Sequence, residues 1–129
     1  MNRVEEAKEI LKMAGKDLRA LQIMLDPESV DVEIFGFHAQ QAVEKSLKAW
    51  ITALGEAYEY KHDLHPLLVK LKNLGNEVTD LWELIDLNIF AVQLRYEDYV
   101  YADAPIDRRE MLAKVESLYK KVQRIIEEI

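Results

Sequence analysis

The sequence predicts an all-α fold: an up-down helical bundle of four long helices and one short helix, forming a single domain over residues 1–129. Three observations lead there. Apolar residues recur three and four apart through successive segments, the spacing that gathers them on one face of a helix. No stretch of useful length alternates apolar and polar residues with period two, as a half-buried strand would. The four glycines and three prolines fall mostly between the periodic segments.

The first segment places Val4, Ala7, Leu11, Ala14, Leu18, Leu21 and Leu25 on one seam, and Asp26-Pro27 stops it, because a residue before proline is pushed out of the helical region. Gly15 is a small local cost within it. A second helix of similar length takes Asp31 as N-cap, carries Ile34, Phe37, Val43, Leu47, Trp50, Ile51 and Leu54, and closes at Gly55. "KHDLHPLLVKLKNLG" reads as the short third helix, with Asp63 as N-cap, Pro66 in the first turn and Gly75 at the stop. It is expected to pack across one end of the bundle. The fourth starts near Thr79 or Asp80 and runs through Leu81, Leu84, Ile85, Leu87, Ala91 and Leu94 to Arg95. After Ala104-Pro105, Asp107 with Glu110 three residues on resembles a capping box. The fifth helix then aligns Met111, Val115, Leu118, Val122, Ile125 and Ile129.

With no cysteine, neither a disulfide framework nor a thiolate metal site is available. The longest apolar runs fall far short of the ~20 residues that cross a bilayer, and "MNRVEEAKEI" has no apolar signal core. These features point to a cytoplasmic, soluble protein without membrane attachment. Seventeen basic against 24 acidic residues give a net charge of −7, which repels a phosphate backbone at long range and argues against nonspecific nucleic-acid binding. A local basic groove remains compatible with that charge.

Three constellations carry candidate chemistry. His62 and His65, spaced H-x2-H beside Asp63, suggest a metal, but two imidazoles without a third ligand more often mark a capped helix start, and no metal is expected. No nucleophile elbow, phosphate-cradling glycine loop or cofactor motif is present, so no cofactor is expected. "FGFHAQQAVEKSLKAW" puts His38, Gln40, Gln41, Glu44 and Lys45 into an otherwise apolar helix, with His38, Gln41 and Lys45 on one stripe. It reads either as an exposed face with a Glu-Lys rim or as a partly buried face that meets another helix or a second subunit. In "NIFAVQLRYEDYVYAD", Arg95 ends a helix and Tyr96, Tyr99 and Tyr101 follow among Glu97, Asp98 and Asp103. Arg95 reads first as a cation at the negative end of the helix dipole that can pair with Glu97 or Asp98, with the tyrosine rings tucked onto the bundle; the alternative is an anion-binding fork flanked by stacking rings.

Taken in order, "FHAQQAVEKSLKAWI", "KHDLHPLL" and "LRYEDY" resemble the pattern of the HEPN family, the higher eukaryotes and prokaryotes nucleotide-binding domain. The resemblance implies a four- or five-helix up-down bundle, usually a homodimer, often encoded beside a small nucleotidyltransferase. Some members are metal-independent RNA-cleaving toxins of toxin-antitoxin pairs, neutralised by that partner, which can transfer nucleotides to a tyrosine of the toxin. In the cleaving members a late-helix arginine is followed by a histidine after about four to six residues. Arg95 matches the arginine, but residues 100–102 read "VYA", and the histidine is absent. Cleavage by a 2′-hydroxyl needs a proton carrier as well as a cation, and tyrosine, with a pKa of about 10, is a poor general base near neutrality. Tyr99 or Tyr101 is an approximate counterpart of the modified tyrosine. The expected function is therefore noncatalytic nucleotide or phosphate binding by a homodimer that works with a nucleotidyltransferase partner. The expected ligand contacts are Arg95, Tyr96, Tyr99, Tyr101, His38, Gln41 and Lys45. The alternatives are an RNase using His38, His62 or His65 as proton carrier, and a ligand-free helical interaction module.

Overall fold

The computed structural model of the chain describes residues 2–91 and 106–129. Every regular element among them is helical: α1 (Arg3–Ile23), α2 (Val32–Ala53), α3 (Leu64–Asn73), a 3-10 helix (Thr79–Phe90) and α4 (Arg108–Glu127).

α1 begins where the Asn2 side chain accepts a hydrogen bond from Glu5 N at 2.9 Å. It buries Ala7, Leu11, Ala14, Leu18 and Leu21, as the seam predicts, but ends at Ile23 rather than Leu25. Asp26 then organises a tight connection. Its carboxylate accepts from the Ser29 hydroxyl at 2.7 Å and from Glu28 N at 3.0 Å, and these two bonds hold its pKa below the usual carboxylate value. Arg108, from α4, closes the connection. It donates to the carbonyls of Met24 at 2.8 Å and Val30 at 2.7 Å, and its guanidinium lies 5.2 Å from the Phe35 ring centre. A buried cation is tolerated there because backbone oxygens, including those at the negative end of α1, take the place of a carboxylate.

α2 is the axis of the molecule. It packs against α1, α3, the 3-10 helix and α4, and from Phe35 to Ala53 none of its residues is exposed. Directions follow from pairs of contacts. Arg108 sits over Phe35 and Lys121 sits 4.9 Å from the Trp50 ring centre, so α4 runs parallel to α2. Arg108 reaches Met24 while Gln22 bonds Glu116 at 3.4 Å and Gly15 faces Tyr119, so α1 runs against α4. Phe90 packs on Gly36, Glu83 pairs with Lys114 at 3.0 Å, and the Glu77 carbonyl receives Lys121, so the 3-10 helix runs against both α2 and α4. The result is the expected up-down order.

α3 touches only α2 and the 3-10 helix among the described elements, so it lies along one flank rather than across an end. Asn88 explains that placement. Its side chain accepts from Leu64 N at 3.0 Å and donates to Asp63 at 2.8 Å, while Asp63 also caps α3 by accepting from His65 N. Gly75 ends the helix at φ 91°, a conformation that other residues reach only at a cost.

The fourth helix differs from expectation in pitch. Val78, Leu84, Leu87 and Phe90 are buried and Leu81 packs against the core, a spacing of three throughout. At three residues per turn such positions eclipse into a single stripe, whereas at 3.6 they would drift away from α2. The sequence expectation extended this helix to Arg95; residues 92–95 lie outside the described residues. α4 starts as predicted, with Asp107 accepting from Glu110 N at 3.1 Å. Its buried stripe is Val115, Leu118, Val122 and Ile126, with Ile125 only half-buried. Ile129 falls beyond the helix end and is exposed, so the last step of the predicted stripe is three residues too far.

Candidate functional site

The polar residues of α2 divide between two carboxylates, one on a neighbouring helix and one on α2 itself. Asp17 of α1 is buried against α2, where its Oδ1 lies 2.9 Å from His38 Nδ1 and its Oδ2 accepts from Lys45 Nζ at 2.7 Å. One turn on, Glu44 is 3 % exposed and is surrounded by donors. Gln40 donates to it at 3.1 Å, Lys48 at 3.0 Å, and His62 Nδ1 lies 3.1 Å away. Gln40 also donates to the His62 carbonyl at 3.1 Å, and Gln41 donates to Gln40 Oε1 at 2.8 Å. Lys48 caps the group from above the Tyr58 ring at 5.1 Å. Burial, with the neighbouring Tyr60 and carboxylates, raises the Tyr58 phenol pKa above its ordinary value.

This arrangement decides between the two sequence readings of the α2 stripe. The exposed Glu-Lys rim is wrong, because the stripe is covered by α1 and by the connection ahead of α3. A carboxylate this deep is tolerable only when its oxygens are filled by donors, and here three side chains fill them.

Both clusters present a histidine in the same way. A carboxylate can only accept, so the nitrogen facing it carries the proton, and Nε2 is the nitrogen left for other work. The His38 side chain is 29 % exposed and that of His62 is 66 % exposed. An imidazole oriented through one nitrogen and open at the other can accept or deliver a proton. His62 and His65 do not converge on a common point: His62 turns to Glu44, while His65 meets Trp82 edge-on at 5.6 Å between ring centres.

Of the residues singled out from the sequence, the structure brings His38 and Lys45 together on Asp17 and sets Gln41 in the adjoining cluster. Arg95, Tyr96, Tyr99 and Tyr101 lie outside the described residues. The described residues on either side, Phe90 and Arg108, rest on the neighbouring positions Gly36 and Phe35, at the end of α2 that carries His38. Asp17 was missed by sequence reasoning. Its signal was legible, since a charged residue three after Ala14 and four before Leu21 lies on the apolar seam.

No curated protein and no solved structure shows significant similarity to the chain. The family pattern of the HEPN domain matches the chain over residues 7–129. It takes in α2 with its polar stripe, α3 with its capped start, and the Arg95 segment, so the chain belongs to the HEPN domain family.

Proposed function

We propose that this HEPN domain is noncatalytic and binds a nucleotide or another phosphate-bearing ligand through Arg95, flanked by Tyr96, Tyr99 and Tyr101, as a homodimer that works with a small nucleotidyltransferase. The observation that carries the reading is the pairing of Arg95 with "VYA" where the cleaving members have a histidine. A guanidinium fork holds two phosphate oxygens, and tyrosine rings offer a stacking face for a base. The described structure supports it in one respect. Phe90 and Arg108, flanking the Arg95 segment, are both seated on the first turns of α2, two or three residues before His38. Of the expected ligand contacts on α2, His38 lies nearest that end and Gln41 and Lys45 follow along the same stripe, and the Asp17 pairing holds His38 and Lys45 in fixed positions. Glu97, Asp98 and Asp103 make the local field negative, so binding is weak, on the order of micromolar to millimolar.

A thermal-shift titration with AMP, ADP and ATP tests this on the wild type and Arg95→Lys. The wild type is expected to be stabilised, and Arg95→Lys to lose that stabilisation while keeping its own melting temperature. No response of the wild type to any of the three nucleotides would sink the nucleotide reading.

A second reading is favoured by the two carboxylate-oriented histidines. In an RNase, Nε2 of His38 or His62 would take the proton of the attacking 2′-hydroxyl while Arg95 steadies the phosphorane. On the first reading, single-stranded RNA and tRNA stay intact when incubated with the purified protein. Cleavage abolished both by Arg95→Ala and by His62→Ala or His38→Ala would replace the first reading with the second.

A further inference from the structure

On the face of the bundle formed by α1 and α4, Lys8, Lys12 and Arg19 line a cleft of about 210 Å³ with Tyr119 and Gln123, together with Leu11 and Ile126. No carboxylate lines it, and none of its three cations forms an ion pair among the described residues. Five lysines elsewhere are neutralised by carboxylates. Lys45, Lys48, Lys61, Lys114 and Lys120 each hold a carboxylate, and the groove beside α3 sets Lys61 and Lys70 against Glu59 and Asp63. In a protein of net charge −7, a cleft with three cations and no acid in its lining is a local concentration of positive potential.

The fold builds this cleft in two ways. Lys8 and Lys12 are one turn apart and Arg19 follows two turns later, so all three project from the same side of α1. Gly15 lies between them and is buried. A Cβ at Gly15 would stand 3.2 Å from the Tyr119 hydroxyl and 3.6 Å from Arg19 Nη1, so both groups converge on the space that the glycine leaves. Its use in α1 is therefore more than a helix defect: it lets a phenol from α4 come down beside a guanidinium from α1.

We infer that this cleft is a binding site for adjacent phosphate groups, such as the polyphosphate chain of a nucleotide. Arg19 supplies a planar fork for two oxygens, Lys8 and Lys12 supply compact charges, and Tyr119 and Gln123 supply neutral donors. Its volume equals that of several waters at ~30 Å³ each, room for a diphosphate or triphosphate with any nucleoside lying outside. The site is separate from the end of α2 discussed above, since Tyr119 lies roughly 16 Å beyond Arg108 along α4.

Isothermal titration with sodium tripolyphosphate tests this on the wild type, Arg19→Gln, the double variant Lys8→Gln/Lys12→Gln, and Lys61→Ala, each first confirmed as folded by circular dichroism. The wild type is expected to bind, and both cleft variants to bind at least about tenfold more weakly. Lys61→Ala, at an exposed lysine outside the cleft, should bind tripolyphosphate within about twofold of the wild type, so that loss in the cleft variants, with Arg95 intact, locates the site on α1 and α4. The inference is overturned by any of three results: no heat from the wild type at millimolar tripolyphosphate, full binding by both cleft variants, or an equal loss in Lys61→Ala.

Discussion

Glu44 is a buried carboxylate on which three side-chain donors converge. Removing it would strand Lys48, whose side chain is 11 % exposed, without a counter-charge, and would release His62 and Gln40 together. Breaking one partner out of a buried pair costs about 3–5 kcal/mol, mostly because the remaining charge stays desolvated. Glu44→Ala is therefore expected to lower unfolding stability by about 3 kcal/mol or more in urea denaturation. The exposed pair of Lys61 and Glu59 is the control, since both side chains are 70 % exposed. Lys61→Ala should change stability by less than about 0.5 kcal/mol, as solvent screens such pairs. Equal effects from the two substitutions would mean that the Glu44 cluster is wetter than its burial indicates.

At the scale of elements, the docking of the 3-10 helix onto α2 depends on Gly36. A Cβ there would lie 2.5 Å from the Phe90 ring, closer than packed atoms tolerate, and the ring faces the α2 backbone directly. Gly36→Ala would gain helix propensity in α2, worth up to about 1 kcal/mol, but must push Phe90 away. The steric term should win, giving a net loss of about 1–3 kcal/mol. Hydrogen exchange should then quicken in residues 79–90 while α1 amides stay protected. Phe90→Leu added to Gly36→Ala should recover part of the loss; if the double variant is no better than the sum of the singles, the contact is not the cause. The same junction matters to function, since Phe90 leads into the Arg95 segment and Gly36 lies two residues before His38.

For the whole molecule, α2 governs how a second copy can attach. α1 and the connection ahead of α3 cover much of the polar face of the second helix within one chain, leaving parts of His38, Lys45 and His62 at the surface. Outer apolar side chains offer a further surface to a second copy. Trp82 at 39 % exposure and Ile89 at 54 % are large apolar side chains left on the outside of the 3-10 helix. A stable interface buries more than about 1,000 Å² in total. Light scattering at tens of micromolar should therefore return about twice the 15.0 kDa chain mass, and a monomer at that concentration would count against the homodimer.

The sequence by itself determined the helical class, the element order and most of the boundaries, because these depend on local chemistry. Asp63 and Asp107 cap with their own side chains, Gly75 takes a left-handed conformation, and apolar spacing marks the faces of α1 and α4. It also delivered the family, through motifs that stay recognisable in linear order. Tertiary structure alone decided three things. It set the pitch of the 3-10 helix, where a three-residue apolar period is satisfied only by lying against α2. It chose between the two readings of the α2 polar stripe, drawing it into two carboxylate clusters packed within one chain, since Asp17 and His62 are 21 and 18 residues from the partners they meet. It also gave Gly15 its purpose, because Tyr119 reaches it from the far end of the chain. Local patterns carry the energy of neighbours along the chain, whereas burial, counter-charge and close approach belong to neighbours in space, and no helical period encodes those.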